Sequence, residues 1–216
     1  MKTSEKVVHG AESQALLRRG LLVEYVSLAW MTVEALVAIT AGVFSGSLAL
    51  LAFGGDSVIE LVSSIAVLGH LRTEDKGEGN DDKTGRTERV TLLLLFLLIP
   101  VIALGTTYAY FSGVQPQPSA LGILIALCSL VIMPVLWFEK HRIGKEANCF
   151  PIEVDATESA TCFLMSAALL VGLVANFYWR LWGVDYLATV IITLFLAKEA
   201  VGALRNLRAK DEKGIL

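Results

Sequence analysis

The residues of this 216-residue chain that could do chemistry are acids and a thiol set inside otherwise apolar runs. Asp56 and Glu60 are four apart, so both carboxylates project from one helical face. Asp155, Glu158 and Cys162 follow an i, i+3, i+7 stripe and also share a face. Glu34 lies in an earlier apolar run, and Glu199 sits beside Lys198 in the last one. Carboxylates alone favour Mg, Ca or Mn, whereas a thiolate draws the preference toward Zn, Cd or Co. Asp56, Glu60, Glu158 and Cys162 are therefore the candidate metal ligands, with Glu34 and Asp155 as additional ligands or a proton path. Zinc accepts a four-coordinate O/S set and is the favoured ion, with Co, Cd and Mn as alternatives. Such ligands bind metal only when deprotonated, so metal entry expels protons, which is a physical basis for antiport.

Six apolar runs must position these groups: 21–44, 46–71, 90–111, 119–138, 151–178 and 183–204. Each is long enough to cross about 30 Å of hydrocarbon as a helix. The chain is 55% apolar and 18% charged, with a mean hydropathy of +0.63. A soluble domain carries about 25% charged residues. The composition predicts an all-α membrane protein with six transmembrane helices. It argues against a soluble enzyme and a secreted disulfide scaffold, and the net charge of −3 argues against a nucleic-acid partner. Cys128, Cys149 and Cys162 form no C-x-x-C. No H-E-x-x-H or G-x-S-x-G signature points to an enzyme, and no bound cofactor is expected. Pro100 and Pro134 are expected to kink the third and fourth helices.

Charge placement predicts orientation. Sixteen of the eighteen Lys and Arg residues fall in the tails and in the second and fourth connections, Lys140 among them. The remaining connections hold only Arg180. Both termini are thus expected in the cytoplasm of a cell (inner) membrane protein. Residues 1–20 read as a polar N-terminal tail, 21–204 as one transporter domain and 205–216 as a short tail. The 72–88 segment, rich in Gly, Asp, Glu and Lys, reads as a flexible cytoplasmic loop.

Acids at membrane depth cost about 2.5–3.5 kcal/mol each at a helix centre. Lys198 is the one basic residue read as well inside a span, so protons and bound cations are expected to neutralise the cluster. Glu199 is expected to pair with Lys198 or face the cytoplasm, and Asp185 to cap the sixth helix. The second and fifth runs also match each other. Asp56-Ser57-x-x-Glu60-x-x-x-Ser64-x-Ala66-x-Leu68 aligns with Glu158-Ser159-x-x-Cys162-x-x-x-Ser166-x-Ala168-x-Leu170. A three-helix interval makes such a repeat inverted, and transporter sites lie at repeat interfaces.

The run from Ser45 to Ala52, followed by Asp56-x-x-x-Glu60, resembles the second helix of the cation diffusion facilitator family. Aligned on Leu170-Val-Gly-Leu173, the family's helix-five His-x-x-x-Asp falls at Glu158 and Cys162. Trp182-Gly-Val-Asp185 resembles the Asp opening its sixth helix. The resemblance covers about residues 20–205 and is weakest in helices three and four. No histidine lies mid-span, and the resemblance implies a short, bacterial-type branch in which the family's cytoplasmic C-terminal domain is expected to be lacking. The resemblance implies a secondary transporter exporting divalent transition metal by proton antiport. A metal sensor or channel-like protein is the alternative. Expected partners are divalent metal ions, protons and the bilayer, and a homodimer stays open.

Overall fold

A computed structural model describes residues 2–75, 82–147 and 149–212. The apolar runs become six helices: α1 (Lys2–Ser45), α2 (Leu48–Asp75), α3 (Asp82–Phe111), α4 (Ala120–Ala147), α5 (Phe150–Trp179) and α6 (Trp182–Glu212). Each contains a stretch long and apolar enough to cross a membrane. Among the described residues there is no strand. α2 and α3 extend to Asp75 and from Asp82 into the segment read as a loop, and 76–81 lie outside the described residues. α3 and α4 run through Pro100 and Pro134 without ending there.

The helix ends have local causes. α1 turns into α2 at Gly46, whose φ of 67° is a left-handed value that costs a glycine little. The Ser47 hydroxyl then accepts from the Leu50 N–H and caps α2. Ser119 does the same for Gly122 at the start of α4. α5 closes on Arg180 in the left-handed region (φ 54°), with the Arg180 and Leu181 N–H groups donating to Asn176 and Ala175 carbonyls.

Neighbour packing runs in a ring α1–α4–α5–α6–α3–α2, and α2 also reaches across it to α5 and α6. α4 on α5 and α1 on α2 are the broadest interfaces. α1 and α2 meet closely at Gly54, where an added Cβ would stand 2.9 Å from the Ile39 backbone nitrogen. Small residues allow such approaches where no hydrophobic force drives helices together in lipid. Leu104, Phe111, Val131 and Leu194 face outward. Ser27, Ser57, Ser64, Ser129, Ser159 and Ser166 are fully buried. The bundle turns apolar side chains outward, and inside it these hydroxyls lie among an apolar core that includes Leu50, Phe53 and Met165.

Candidate metal centre

Each helix turns one stripe inward, and the acids ride on those stripes. On α1, Glu24, Ser27, Met31, Glu34, Ala38 and Ala41 are buried at alternating spacings of three and four. α2 is buried on more than one face, because it packs against four neighbours. It carries Asp56 and Glu60 one turn apart. α5 carries Asp155, Ser159, Cys162, Ser166 and Leu169 along its buried face.

One ligand atom each from Asp56, Glu60 and Cys162 lie within 4.8 Å of one another, and all three residues are buried. No carboxylate oxygen of Asp56 or Glu60 has a hydrogen-bond partner. Buried polar atoms are ordinarily paired, so four unpaired oxygens facing a thiol are the pattern of a cation site. Glu34 joins from α1: the Cys162 thiol donates to its Oε1 at 3.6 Å, and Trp30, Ser57 and Ser129 surround its carboxyl.

Glu158 stands outside the three-residue group. Its Oε1 accepts from the Ser63 hydroxyl on α2 at 3.2 Å, and its Oε2 is unpaired. One turn further toward the terminal end of the bundle, Asp155 Oδ1 accepts from Ser64 at 2.9 Å. Two serines of α2 thus hold two acids of α5.

Three expectations change. Lys140 was counted with the loop charges, but α4 continues to Ala147 and buries the Lys140 side chain completely. Its ammonium pairs with Asp155, donates to Ser27 Oγ at 2.8 Å, and lies 3.8 Å from Glu24 Oε2. Asp155 is therefore the partner of a lysine, because the ion pair offsets its desolvation. Glu199 turns toward Asp56 and Thr161, while Lys198 is exposed. Asp185 does not cap its own helix. It accepts from Ser47 Oγ at 2.7 Å and from the Ala49 backbone, so its charge sits at the N-terminus of α2.

Lys140, Glu24 and Glu199 were the missed participants, and each had a signal. Gly122, Ala126, Ser129, Met133, Leu136 and Lys140 continue one 4-3-4-3-4 stripe on α4. Asp185, Thr189, Ile192, Leu196 and Glu199 continue another on α6.

A model of the cation efflux transmembrane domain matches residues 25–209. The manganese efflux system protein MneS of Bacillus subtilis (strain 168) is 24% identical over 190 residues, covering 85% of this chain and 65% of that protein. The uncharacterized transporter YdbO of the same organism is 26% identical over 172 residues, 77% of this chain and 59% of its own length. The magnetosome protein MamB of Magnetospira sp. (strain QH-2) is 25% identical over 142 residues, 62% of this chain and 48% of its own. The chain spans less than two thirds of the length of each of these relatives. With the domain match running through all six helices, the chain belongs to the cation efflux, or cation diffusion facilitator, family.

Proposed function

We propose that this protein is a secondary transporter that exports a divalent transition-metal cation, and that Asp56, Glu60 and Cys162 bind the ion. The convergence of these three ligand atoms within 4.8 Å carries the reading. Glu34 reaches the same thiol from α1, and Glu158 supplies the next carboxylate along α5. Family membership and the name of the manganese relative support export of a divalent metal.

The donor set bears on which ion. Carboxylates outnumber sulfur, no histidine contributes, and the thiol is engaged by Glu34. An oxygen-dominated set suits Mn(II). Manganese thus moves ahead of zinc, which remains the second reading because Cys162 belongs to the cluster. Each bound cation replaces protons on the carboxylates, so the same residues couple metal exit to proton entry. Exchange between the two faces would proceed by rocking the helices around a site shared by α2 and α5. With Lys140 placed inside the bundle, the fifteen other basic residues in the tails and in the second and fourth connections support cytoplasmic termini.

The test is metal uptake into proteoliposomes containing a pH dye. The expected result is Mn(II) entry with proton efflux, both lost in Asp56→Ala. Normal transport by Asp56→Ala would remove the site, and metal flux without proton counterflow would remove the antiport.

A further inference from the structure

The Lys140 ammonium does not sit in an ordinary ion pair. It is surrounded by Asp155 Oδ2 of α5, Ser27 Oγ of α1 at 2.8 Å and Glu24 Oε2 of α1 at 3.8 Å. Two carboxyl groups share one ammonium, so the group holds one more acid than base. Lys140, Asp155 and Glu24 are all at most 1% exposed. Neither Glu24 oxygen accepts a hydrogen bond from the ammonium, a hydroxyl or a backbone N–H, although the residue faces the ammonium and lies against the Asp155 carboxyl. A structural pair would satisfy its acceptors, because an unpaired charge in a dry interior is costly. This one buries a second carboxyl beyond the one that pairs the ammonium most closely.

Its position also matters. Asp155, Glu158 and Cys162 descend α5 at three- and four-residue steps, putting Asp155 about 10 Å from Cys162 along the axis. Ser64 and Ser63 of α2 hold Asp155 and Glu158 in register. Glu60 of the central cluster is close enough to act on the Lys140 charge. Acids thus step along α5 from the centre toward the terminal end of the bundle, and the ammonium stands beside the last of them.

We propose that Glu24 and Asp155, with the Ser27 hydroxyl, form a second cation station whose resting occupant is the chain's own Lys140 ammonium. The inference rests on the transporter reading above. A divalent cation moving between the terminal end and the central cluster passes this station by displacing the ammonium, whose four-carbon stem lets it swing aside. A resting occupant keeps the paired carboxylates from holding metal too tightly to release it. Lys140 is a positioning residue here, and it touches the ion only by exchange.

The experiment counts tightly bound Mn(II) on the full purified chain by electron paramagnetic resonance. Wild type is expected to bind one ion per chain, and Lys140→Met two. Lys140→Met with Asp56→Asn should return to one, held at the station. Lys140→Met with Glu24→Gln and Asp155→Asn should also return to one, held at the centre. A single ion in Lys140→Met, unchanged by the station substitutions, overturns the proposal. One ion in wild type that survives Asp56→Asn overturns the central assignment instead, so the two failures are distinct. Lys140→Arg supplies a second arm that keeps the charge. Its fork gains a charge-assisted bond to the spare Glu24 oxygen, so Mn(II) uptake should slow about tenfold or more while central binding holds. Wild-type uptake by Lys140→Arg would also overturn displacement.

Discussion

Cys162 on α5 donates its thiol hydrogen to Oε1 of Glu34 on α1, at 3.6 Å, inside the cluster that also holds Asp56 and Glu60. The sulfur is thereby tied to an acid that the second and fifth helices do not supply. Two consequences follow. α1 becomes part of the proposed metal site, and the softness of that proposed site rests on one side chain.

Cys162→Ser keeps a hydrogen for Glu34 and replaces sulfur with oxygen. Zn(II) and Cd(II) should lose about tenfold in competition against Mn(II), because soft ions gain most from thiolate. Mn(II) uptake itself should stay within about threefold of wild type. Competition uptake with the four ions Mn, Zn, Cd and Co measures this. Unchanged zinc competition would show that zinc is bound without Cys162.

Metal affinity should rise with pH. Protons and metal compete for Asp56 and Glu60, so raising pH removes the competitor, and the gain levels off once both carboxylates are ionised. The slope of log Kd against pH equals the number of protons released. Asp56→Asn should lower that slope by about one. Titration calorimetry across a pH series, corrected for buffer ionisation, reads it directly. An unchanged slope would mean that Asp56 releases no proton.

Ser47→Ala should destabilise the bundle without touching the centre. It removes the 2.7 Å hydrogen bond to Asp185 and the cap on the Leu50 N–H. Leaving a buried acceptor short of a donor costs about 1–3 kcal/mol. The thermal unfolding midpoint in detergent should fall, while Mn(II) affinity stays unchanged. An unshifted midpoint would show that the Ala49 backbone alone satisfies Asp185.

Gly54→Ala should separate α1 from α2. Its new Cβ would meet the Ile39 backbone nitrogen at 2.9 Å and the Ile39 Cγ1 at 2.8 Å, and backbone cannot step aside cheaply. Overpacking of this kind costs about 1–3 kcal/mol. Glu34 sits on the displaced helix, so transport should fall with stability. Gly202→Ala, which meets nothing within 4 Å, is the matched control and should behave as wild type.

Much of the fold was legible because lipid imposes one rule on every span. Apolar length alone located the six helices, and the short connections at Gly46–Ser47 and Arg180–Leu181 fell where glycine, serine and the end of an apolar run placed them. The candidate site was legible on α2 and α5, where spacing within one helix shows which side chains share a face. What spacing within one helix does not show is the neighbour. Lys140 looks like a loop charge when the fourth run is ended at its last apolar residue. In the fold α4 continues for two more turns, and that lysine meets acids from α1 and α5. Glu199 was assigned to Lys198 because they are adjacent, yet adjacent helical residues point about 100° apart and only one of them faces Asp56. Asp185 was read as a cap for its own helix, while the N-terminus it serves belongs to α2.

The buried serines have a further effect. Ser57, Ser129, Ser159 and Ser166 each donate their hydroxyl hydrogen back to a carbonyl one turn earlier in their own helix. At Ser159 and Ser166 that bond occupies the hydrogen and leaves the oxygen lone pairs free, whereas Ser57 and Ser129 also lie against the Glu34 carboxyl. Chloride or phosphate beside Ser159 or Ser166 would give up its water and meet acceptors there. The buried face of α5 thus presents hydroxyl oxygens as well as carboxylates, and both favour positive charge over negative.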